Sequence, residues 1–183
     1  ENSGHTGINI LSPDANRSAI QFGHTSDNLK MQIRHDGGTS LSQIISDDTL
    51  TFNVSGGTER MRIDTNGHIT MPTQTAFLAQ VTTGGQNNFA KTNAQTITFS
   101  RERFDQNSDF DTSTYTFTAP VTGRYQLQIN ILLASLDSAA GYYQTYLQTS
   151  NQIYYCTIDP DFGQDNTYFN LNTTVLADMD ASD

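Results

Sequence analysis

The sequence is poor in cysteine and has no long apolar run. Its 183 residues include one cysteine, Cys156, so no disulfide can form within the chain and thiol chemistry does not decide its compartment. No apolar stretch is long enough to span a bilayer, so membrane insertion is not expected. The chain begins at Glu1 without a signal peptide and stops at Asp183, where a further strand would be expected. We therefore expect a fragment that is cut at both ends.

Basic residues are also scarce. The chain has 9 Lys and Arg against 19 Asp and Glu, which gives a formal net charge of −10. Because an acidic surface repels phosphate, binding to nucleic acid or to anionic membranes is not expected. Apolar residues make up only 35% of the chain, and Asn, Gln, Ser, Thr and Gly replace them. This composition is typical of β-rich fibres and extracellular binding domains.

Patterns that indicate catalysis are missing as well. There are three glutamates, Glu1, Glu59 and Glu102, and there is no glycine-rich phosphate loop. No Ser–His–Asp order stands out, and Cys156 is far in sequence from every histidine. We therefore expect no enzymatic activity. The alternative is a depolymerase in which paired aspartates hydrolyse glycosides.

The two halves of the chain differ in composition. All four histidines lie between His5 and His68, and all eight tyrosines lie between Tyr115 and Tyr168. The change falls near Pro72, which lacks an amide hydrogen and favours an extended conformation for the residue before it. The sequence therefore predicts a stalk or adaptor over residues 1–72 and a head over residues 73–183.

The first half contains an internal repeat of strand, polar turn, strand and turn. Its members are Ile20, Phe22, Lys30, Met31, Ile33 and Gly37, followed thirty positions later by Leu50, Phe52, Arg60, Met61, Ile63 and Gly67. The Asn66-Gly67 pair predicts a tight hairpin between Arg60–Asp64 and His68–Met71, because both central residues of such a turn need positive φ. An isolated hairpin is marginal in water, so we expect three copies to wind about one axis.

The segment from Glu59 to Ile69 resembles the repeated segment found in many bacteriophage tail-fibre and virion-fibre proteins. This resemblance covers about a dozen residues, Glu-Arg-Met-Arg-Ile-Asp-Thr-Asn-Gly-His-Ile. It implies a fibre that carries a head. The alternative is an ordinary β-hairpin in a globular domain.

The second half predicts many short strands, which is typical of a sandwich or jelly roll. The only segment with a helical alternative is Ala134–Ala140. The predicted strands are Ala76–Val81, Thr96–Phe99, Thr114–Thr118, Gly123–Leu132, Tyr143–Leu147, Gln152–Tyr155, Thr167–Leu171 and Thr173–Leu176.

A spaced set of residues in this half resembles the globular head of complement component one, subcomponent q. The set is Phe99, Asp105, Phe110, Phe117, Gly123 and Tyr125, with Ala119-Pro120 before the glycine. That family is a trimeric jelly roll related to tumour necrosis factor. The resemblance implies a homotrimeric, complement-q-like binding head whose last strands would follow Asp183. It departs from the family at Leu127 and Ile129, where aromatics are preferred.

Structural roles for the motif residues follow from their chemistry. Phe99, Phe110 and Phe117 are predicted to fill the core between two sheets, where each aromatic ring contributes a few kcal/mol by burial. Gly123 is predicted to permit a tight turn and a close approach of the backbone. Pro120 should lie where no ladder hydrogen bond is needed.

Tyrosines with neighbouring amides are the candidate ligand-binding residues. An exposed tyrosine offers an apolar ring face and a polar hydroxyl, which suits a sugar ring. The predicted glycan-binding set is Tyr142, Tyr143, Gln144, Asn151 and Tyr154. The alternative is that the tyrosines pack in the core or across the trimer axis.

An acidic segment is the candidate cation site. Asp159, Asp161 and Asp165 could supply oxygen ligands to Ca²⁺ from a flexible loop, and members of the complement-q family often hold calcium near the top of the trimer. No other cofactor is expected. The alternatives are a solvated turn, the two other acidic groups, and layers of histidines binding a transition metal on a trimer axis. The two acidic groups are Asp105, Asp109 and Asp111, and Asp178, Asp180 and Asp183.

Together these features predict a structural virion protein on the surface of a particle, most simply of a bacteriophage. The chain would be a homotrimeric fibre or spike whose N-terminal half contacts other virion proteins. Its head would bind a host-surface polysaccharide or outer-membrane component during adsorption. The alternatives are a trimeric capsid decoration or cement protein, and a secreted bacterial adhesin.

Overall fold

The structure is a computed structural model, and it describes residues 10–24, 26–82, 84–87, 89 and 93–183. This part of the chain contains fourteen β-strands and no helix, and every strand pair is antiparallel. The predicted all-β class is therefore confirmed. The chain divides into two compact units, Glu1–Gln74 and Thr75–Asp183. The boundary expected from the sequence lay between residues 72 and 73.

The first unit contains two three-stranded sheets, each a simple meander. The first sheet has the order β1-β2-β3 and the second has the order β4-β5-β6. The strands are β1 Arg17–His24, β2 Asp27–Asp36, β3 Leu41–Ser46, β4 Leu50–Val54, β5 Thr58–Ile63 and β6 Ile69–Thr70.

The sequence repeat of the first unit is also a repeat of strand register. In each copy, the two apolar residues of one strand lie directly opposite the two apolar residues of the next strand. Because directly opposed residues share one face of a sheet, each copy gathers its apolar side chains on the same side. The opposed pairs are Ile20 with Ile33 and Phe22 with Met31 in the first copy, and Leu50 with Ile63 and Phe52 with Met61 in the second.

The predicted hairpin after β5 is confirmed, and Asp64 organises its turn. The Asp64 Oδ1 atom accepts hydrogen bonds from the backbone N–H groups of Asn66, at 2.8 Å, and His68, at 2.9 Å. The Asp64 Oδ2 atom lies 3.0 Å from His68 Nδ1. Hydrogen bonds from the His68 ring and then from the backbone hold the pKa of Asp64 below its usual value. Gly67 has a φ of +84°, which explains why glycine suits this position, whereas Asn66 does not have a positive φ, so the expectation of positive φ at both residues is wrong.

The second unit is built from four two-stranded sheets. β11 and β14 are the longest strands, with 14 residues each, and they pair along their whole length. The pairs are β7 Phe77–Gln80 with β8 Arg101–Asp105, β9 Phe110–Asp111 with β10 Thr116–Phe117, β11 Gly123–Leu136 with β14 Asn166–Met179, and β12 Tyr143–Gln148 with β13 Ile153–Ile158.

The core of the second unit is small and combines aliphatic and aromatic side chains. Buried Ala119, Ala177 and Met179 pack against Phe117, Tyr125, Leu127, Tyr154 and Val175. Phe77 stacks on both Phe110, with ring centroids 4.9 Å apart, and Phe117, with centroids 5.1 Å apart. The Tyr125 hydroxyl donates a hydrogen bond of 2.7 Å to the Val121 carbonyl, which fixes the segment that contains Pro120. The sequence did not single out Phe77 as a core residue.

The segment Thr96–Phe99 was predicted as a strand, and this prediction is wrong. The side chain of Gln86 takes the place of a partner strand, because its Nε2 donates to the Thr96 carbonyl at 3.0 Å and its Oε1 accepts from the Thr98 N–H at 2.9 Å. The backbone N–H of Phe99 bonds only two residues back, to the Ile97 carbonyl. Phe99 is half-buried in this irregular segment.

Two further local expectations are corrected. The possible helical turn at Ala134–Ala140 is absent, because β11 continues to Leu136 and a turn follows it. Gly123 is not needed for a tight turn, because its φ is not positive. It is not needed for a close approach of the backbone either, because an added Cβ would meet only Tyr125 Cε2, at 4.0 Å. Pro120 is exposed and lies outside every strand, as predicted.

Replacing Thr173 by Val is expected to stabilise the second unit. Thr173 is 8% exposed, and its Oγ1 has no hydrogen-bond partner within the described residues. Valine keeps the branched shape and removes the cost of an unsatisfied hydroxyl, so the free energy of unfolding should rise by about 1–3 kcal/mol. Urea denaturation measures the change, and Thr174→Val on the exposed face should stay within about 0.5 kcal/mol of the parent. A loss of stability in Thr173→Val would mean that a water satisfies the hydroxyl.

Candidate functional site

The predicted glycan-binding tyrosines of the β12–β13 hairpin do not share one surface. Successive residues of a strand point to opposite faces, and Tyr143 and Tyr154 lie on the inner face. The Tyr143 hydroxyl accepts a hydrogen bond of 2.9 Å from the backbone N–H of Asp137. The Tyr154 ring packs against the cluster of Ala119, Ala177 and Met179. Both side chains therefore contribute to the fold.

The other three members of the predicted set lie at different places. Asn151 occupies the turn before β13, and its Nδ2 donates to the Asp178 carbonyl and to Asp183 Oδ2, each at 3.3 Å. Tyr142 precedes β12 and is 65% exposed. Gln144 is exposed on the outer face of β12. The structure thus separates Gln144 from the two inner tyrosines with which it was grouped.

The outer face of the β12–β13 hairpin presents a different set of side chains. Tyr146 lies opposite Tyr155, with an edge-to-face contact at a centroid distance of 5.6 Å and an interplanar angle of 60°. Gln144 lies opposite Thr157, and its Nε2 donates a hydrogen bond of 2.8 Å to Thr157 Oγ1. We call these four residues the tyrosine–amide face. Strict alternation from Gln144 was the sequence signal that could have identified Tyr146.

The predicted calcium ligands Asp159, Asp161 and Asp165 are not brought together. Asp165 Oδ1 accepts hydrogen bonds of 2.9 Å from both the backbone N–H and the hydroxyl of Ser138, and these bonds hold the pKa of Asp165 below its usual value. Asp159 Oδ1 accepts from the N–H of Asp161 at 3.1 Å. Over residues 10–24, 26–82, 84–87, 89 and 93–183, no three His, Cys, Asp or Glu side chains are grouped to hold a metal ion.

The acidic loop is fixed by contacts within the protein. Pro160 is fully buried, and Phe162 stacks on Phe169 with ring centroids 5.6 Å apart. These apolar contacts and the Asp165–Ser138 hydrogen bonds position both ends of the loop. Contacts within the protein therefore account for the conformation of this loop.

The acidic cluster near β8 also organises a loop. Asp105 Oδ1 accepts from the N–H of Asp109 at 3.1 Å, and Asp105 Oδ2 accepts from the N–H of Phe110 at 2.8 Å. Asp109 Oδ2 accepts from the Thr75 hydroxyl at 2.9 Å. Hydrogen bonds from the Ser113 hydroxyl and N–H hold the pKa of Asp111 below its usual value. This arrangement explains the aspartate at position 105 of the sequence motif.

The histidines contact different local partners. His35 Nδ1 lies 3.2 Å from the Ser42 hydroxyl, and His68 contacts Asp64 in the turn before β6. His5 and the side chain of His24 lie outside the described residues. The described histidines therefore have roles within their own sheets.

The first unit leaves its apolar side chains exposed or only partly buried. Ile20, Ile33 and Ile44 form a row across β1, β2 and β3, and they are 45%, 45% and 57% exposed. Leu50, Ile63 and Ile69 form the matching row across β4, β5 and β6. We call these rows, together with Phe22, Met31, Phe52 and Met61, the two apolar faces.

The opposite side of the first sheet carries Ala19, Leu41 and Ile45 beside polar side chains, and the buried side chain on it is a polar one. Gln32 is 6% exposed and accepts a hydrogen bond from Arg34, whose Nε also donates to Gln43 at 3.0 Å. Among the described residues of the first unit, Gln32 is the one buried side chain, and the described apolar residues that are buried all belong to the second unit. In a domain that is stable alone, apolar side chains are buried and polar ones are exposed. The described part of the first unit instead buries a glutamine and leaves isoleucines exposed.

No protein-family model, no curated protein and no solved structure matches this chain. The described strands and loops include no helix that is long and apolar enough to cross a membrane.

Proposed function

We propose that this chain is one subunit of a homotrimeric virion fibre or spike, with a β-hairpin stalk and a jelly-roll head that binds a host-surface ligand. The observation that carries the proposal is the pair of exposed apolar faces in the first unit. In the described part of that unit, no apolar side chain is buried. Covering one aliphatic or aromatic side chain contributes about 1.5–3 kcal/mol, so these faces strongly favour association.

Three copies about one axis would cover the apolar faces of the first unit. Each sheet has only three strands and offers one narrow apolar face, which is exposed or only partly buried in the single chain. Around a threefold axis, every row meets the equivalent rows of two other chains. Closed rotational symmetry of this kind is usual in homo-oligomers, and it buries identical surfaces without leaving a free edge. The hairpin repeat that resembles virion-fibre segments supports the same arrangement.

Packing in the second unit supports a sandwich-type head. Tyr154 of β13 packs against the cluster that contains Ala177 and Met179 of β14, so the β12–β13 sheet contacts the β11–β14 sheet. The motif residues Phe117 and Tyr125 contribute to the same core. Face-to-face packing of antiparallel sheets is the architecture of a jelly roll. A trimer of such heads would present three equivalent ligand sites and gain affinity through avidity.

Light scattering on the purified chain tests the trimer. The expected mass is three times the subunit mass of 20.2 kDa, independent of protein concentration in the micromolar range. Excess trimer added to host cells should then compete with particles for adsorption. A monomer would refute the proposal, whereas a trimer present in many copies on the capsid and inert in the adsorption assay would favour a decoration protein.

A further inference from the structure

We propose that the tyrosine–amide face of the β12–β13 hairpin is the site at which the head binds a neutral carbohydrate chain. This inference rests on the proposed function, since it names the ligand class and the residues of the head. The face consists of Gln144, Tyr146, Tyr155 and Thr157. It differs from the set expected from the sequence, with which it shares only Gln144.

The ring of Tyr155 is the centre of the face. Tyr155 is 58% exposed, and Tyr146 supports it from the side and is 36% exposed. The edge-to-face contact limits the motion of the Tyr155 ring, so little side-chain entropy is lost when a ligand covers it. An exposed, supported aromatic ring is a suitable platform for the C–H groups on one side of a pyranose.

Polar groups next to the ring can bind the hydroxyls of the same sugar. The Gln144–Thr157 pair lies two residues along the strands from the tyrosine pair, a distance of about 7 Å. Because Gln144 donates to Thr157 Oγ1, the Thr157 hydroxyl hydrogen remains available as a donor, and the Gln144 amide oxygen remains available as an acceptor. The face therefore combines one stacking surface with a preoriented donor and acceptor.

The tyrosine–amide face carries no charged side chain, which favours neutral carbohydrates over charged ones. The outward-facing residues of the hairpin are Gln144, Tyr146, Gln148, Ile153, Tyr155 and Thr157, and none is charged. The whole chain has a formal charge of −10, which repels uronate, sulfate and sialate groups. A neutral chain of hexoses or N-acetylhexosamines is therefore the ligand that this face fits.

The contrast with the apolar faces argues against a second copy of the chain as the occupant. Those faces are rows of Ile, Leu, Phe and Met without hydroxyl or amide groups. Burying the tyrosine–amide face against protein would desolvate two phenol hydroxyls, a carboxamide and a threonine hydroxyl, each of which would need a partner. A polyhydroxylated ligand supplies those partners along its whole length.

An array of oligosaccharides probes this site directly. The labelled full chain is applied to neutral hexose and N-acetylhexosamine oligosaccharides printed beside uronate-containing, sulfated and sialylated ones. We expect binding to neutral members only. Titration of the best neutral oligosaccharide should show that Tyr155→Ala weakens the single-site affinity at least about tenfold and Gln144→Ala about threefold to tenfold, while Tyr155→Phe keeps most of it.

A control variant and several possible results test whether Tyr155 is part of the carbohydrate site. Tyr168→Ala, on a 65% exposed tyrosine of β14, should leave binding unchanged. Binding to no neutral glycan, binding to anionic glycans alone, or full binding by Tyr155→Ala would overturn the inference, as would loss of the trimer in Tyr155→Ala. If the trimer blocks adsorption but binds no glycan, only this inference fails. If it binds neutral glycans but does not block adsorption, the fibre proposal fails and the sugar site remains.

Discussion

Replacing Ile20 by Asp is expected to convert the proposed trimer to monomers at micromolar concentration. Ile20 lies in the first apolar face, opposite Ile33. The substitution removes about 1.5–3 kcal/mol of apolar burial from each chain, and it places three carboxylates near one another, which adds repulsion and a desolvation cost of several kcal/mol per charge. Because the change occurs in all three subunits, its effect on assembly is tripled. Light scattering should report a mass near 20.2 kDa.

The neighbouring residue provides a matched control. Gln21 is exposed on the opposite side of the same strand, so Gln21→Asp introduces the same charge one position away without entering the apolar face. This variant should remain a trimer. A trimeric Ile20→Asp would mean that the apolar face is not the subunit interface. Ile63→Asp tests the second apolar face in the same way.

Phe117→Ala is expected to produce the largest loss of stability in the second unit. The Phe117 ring stacks on Phe77, makes an edge contact with Tyr125 at a centroid distance of 5.5 Å, and packs against the buried cluster of Ala119, Ala177 and Met179. Its removal leaves a cavity that joins two parts of the core, at a cost of about 3–5 kcal/mol. With a denaturant dependence of about 1–3 kcal/mol per molar, the urea midpoint should fall by at least about 1 M.

A control variant at an exposed phenylalanine distinguishes the loss of core packing from a general effect of removing a phenylalanine ring. Phe89 is 47% exposed, and Phe89→Ala should shift the urea midpoint far less than Phe117→Ala at the same protein concentration. Both variants should be compared as full chains at one protein concentration, because self-association of the kind proposed would raise the apparent stability. Equal midpoints for Phe117→Ala and the parent chain would contradict the contribution of this partly buried ring to the core.

Local patterns in the sequence predicted local structure well. The repeat predicted matched strands, and the structure pairs its residues in the same register in both copies. The hairpin at Asn66-Gly67 was also predicted, although Gly67 and not Asn66 has a positive φ. The strands predicted at Tyr143–Leu147 and Gln152–Tyr155 are present and pair as β12 and β13. These features depend on neighbouring residues, on period-two alternation and on turn geometry, all of which can be read from a sequence.

Predictions that needed contacts between distant segments were less accurate. Gln86 binds the segment around Thr98, and no local signal distinguishes this arrangement from a strand. Phe77 joins Phe110 and Phe117 across more than thirty residues of chain. The aspartates resembled cation ligands because the sequence shows their carboxylates but does not show the N–H groups that they accept from, such as that of Ser138.

The sequence by itself determined the all-β class, the repeat and the turns, because backbone sterics and alternation act over a few residues. The tertiary structure decided which face of each strand is covered. In β12 and β13 it directs Tyr143 and Tyr154 inward and leaves Tyr155 exposed. In the first unit it covers Gln32 and exposes Ile20 and Ile33. Which face of a strand becomes buried depends on the segments that pack against it. Alternation in the sequence does not specify those long-range contacts.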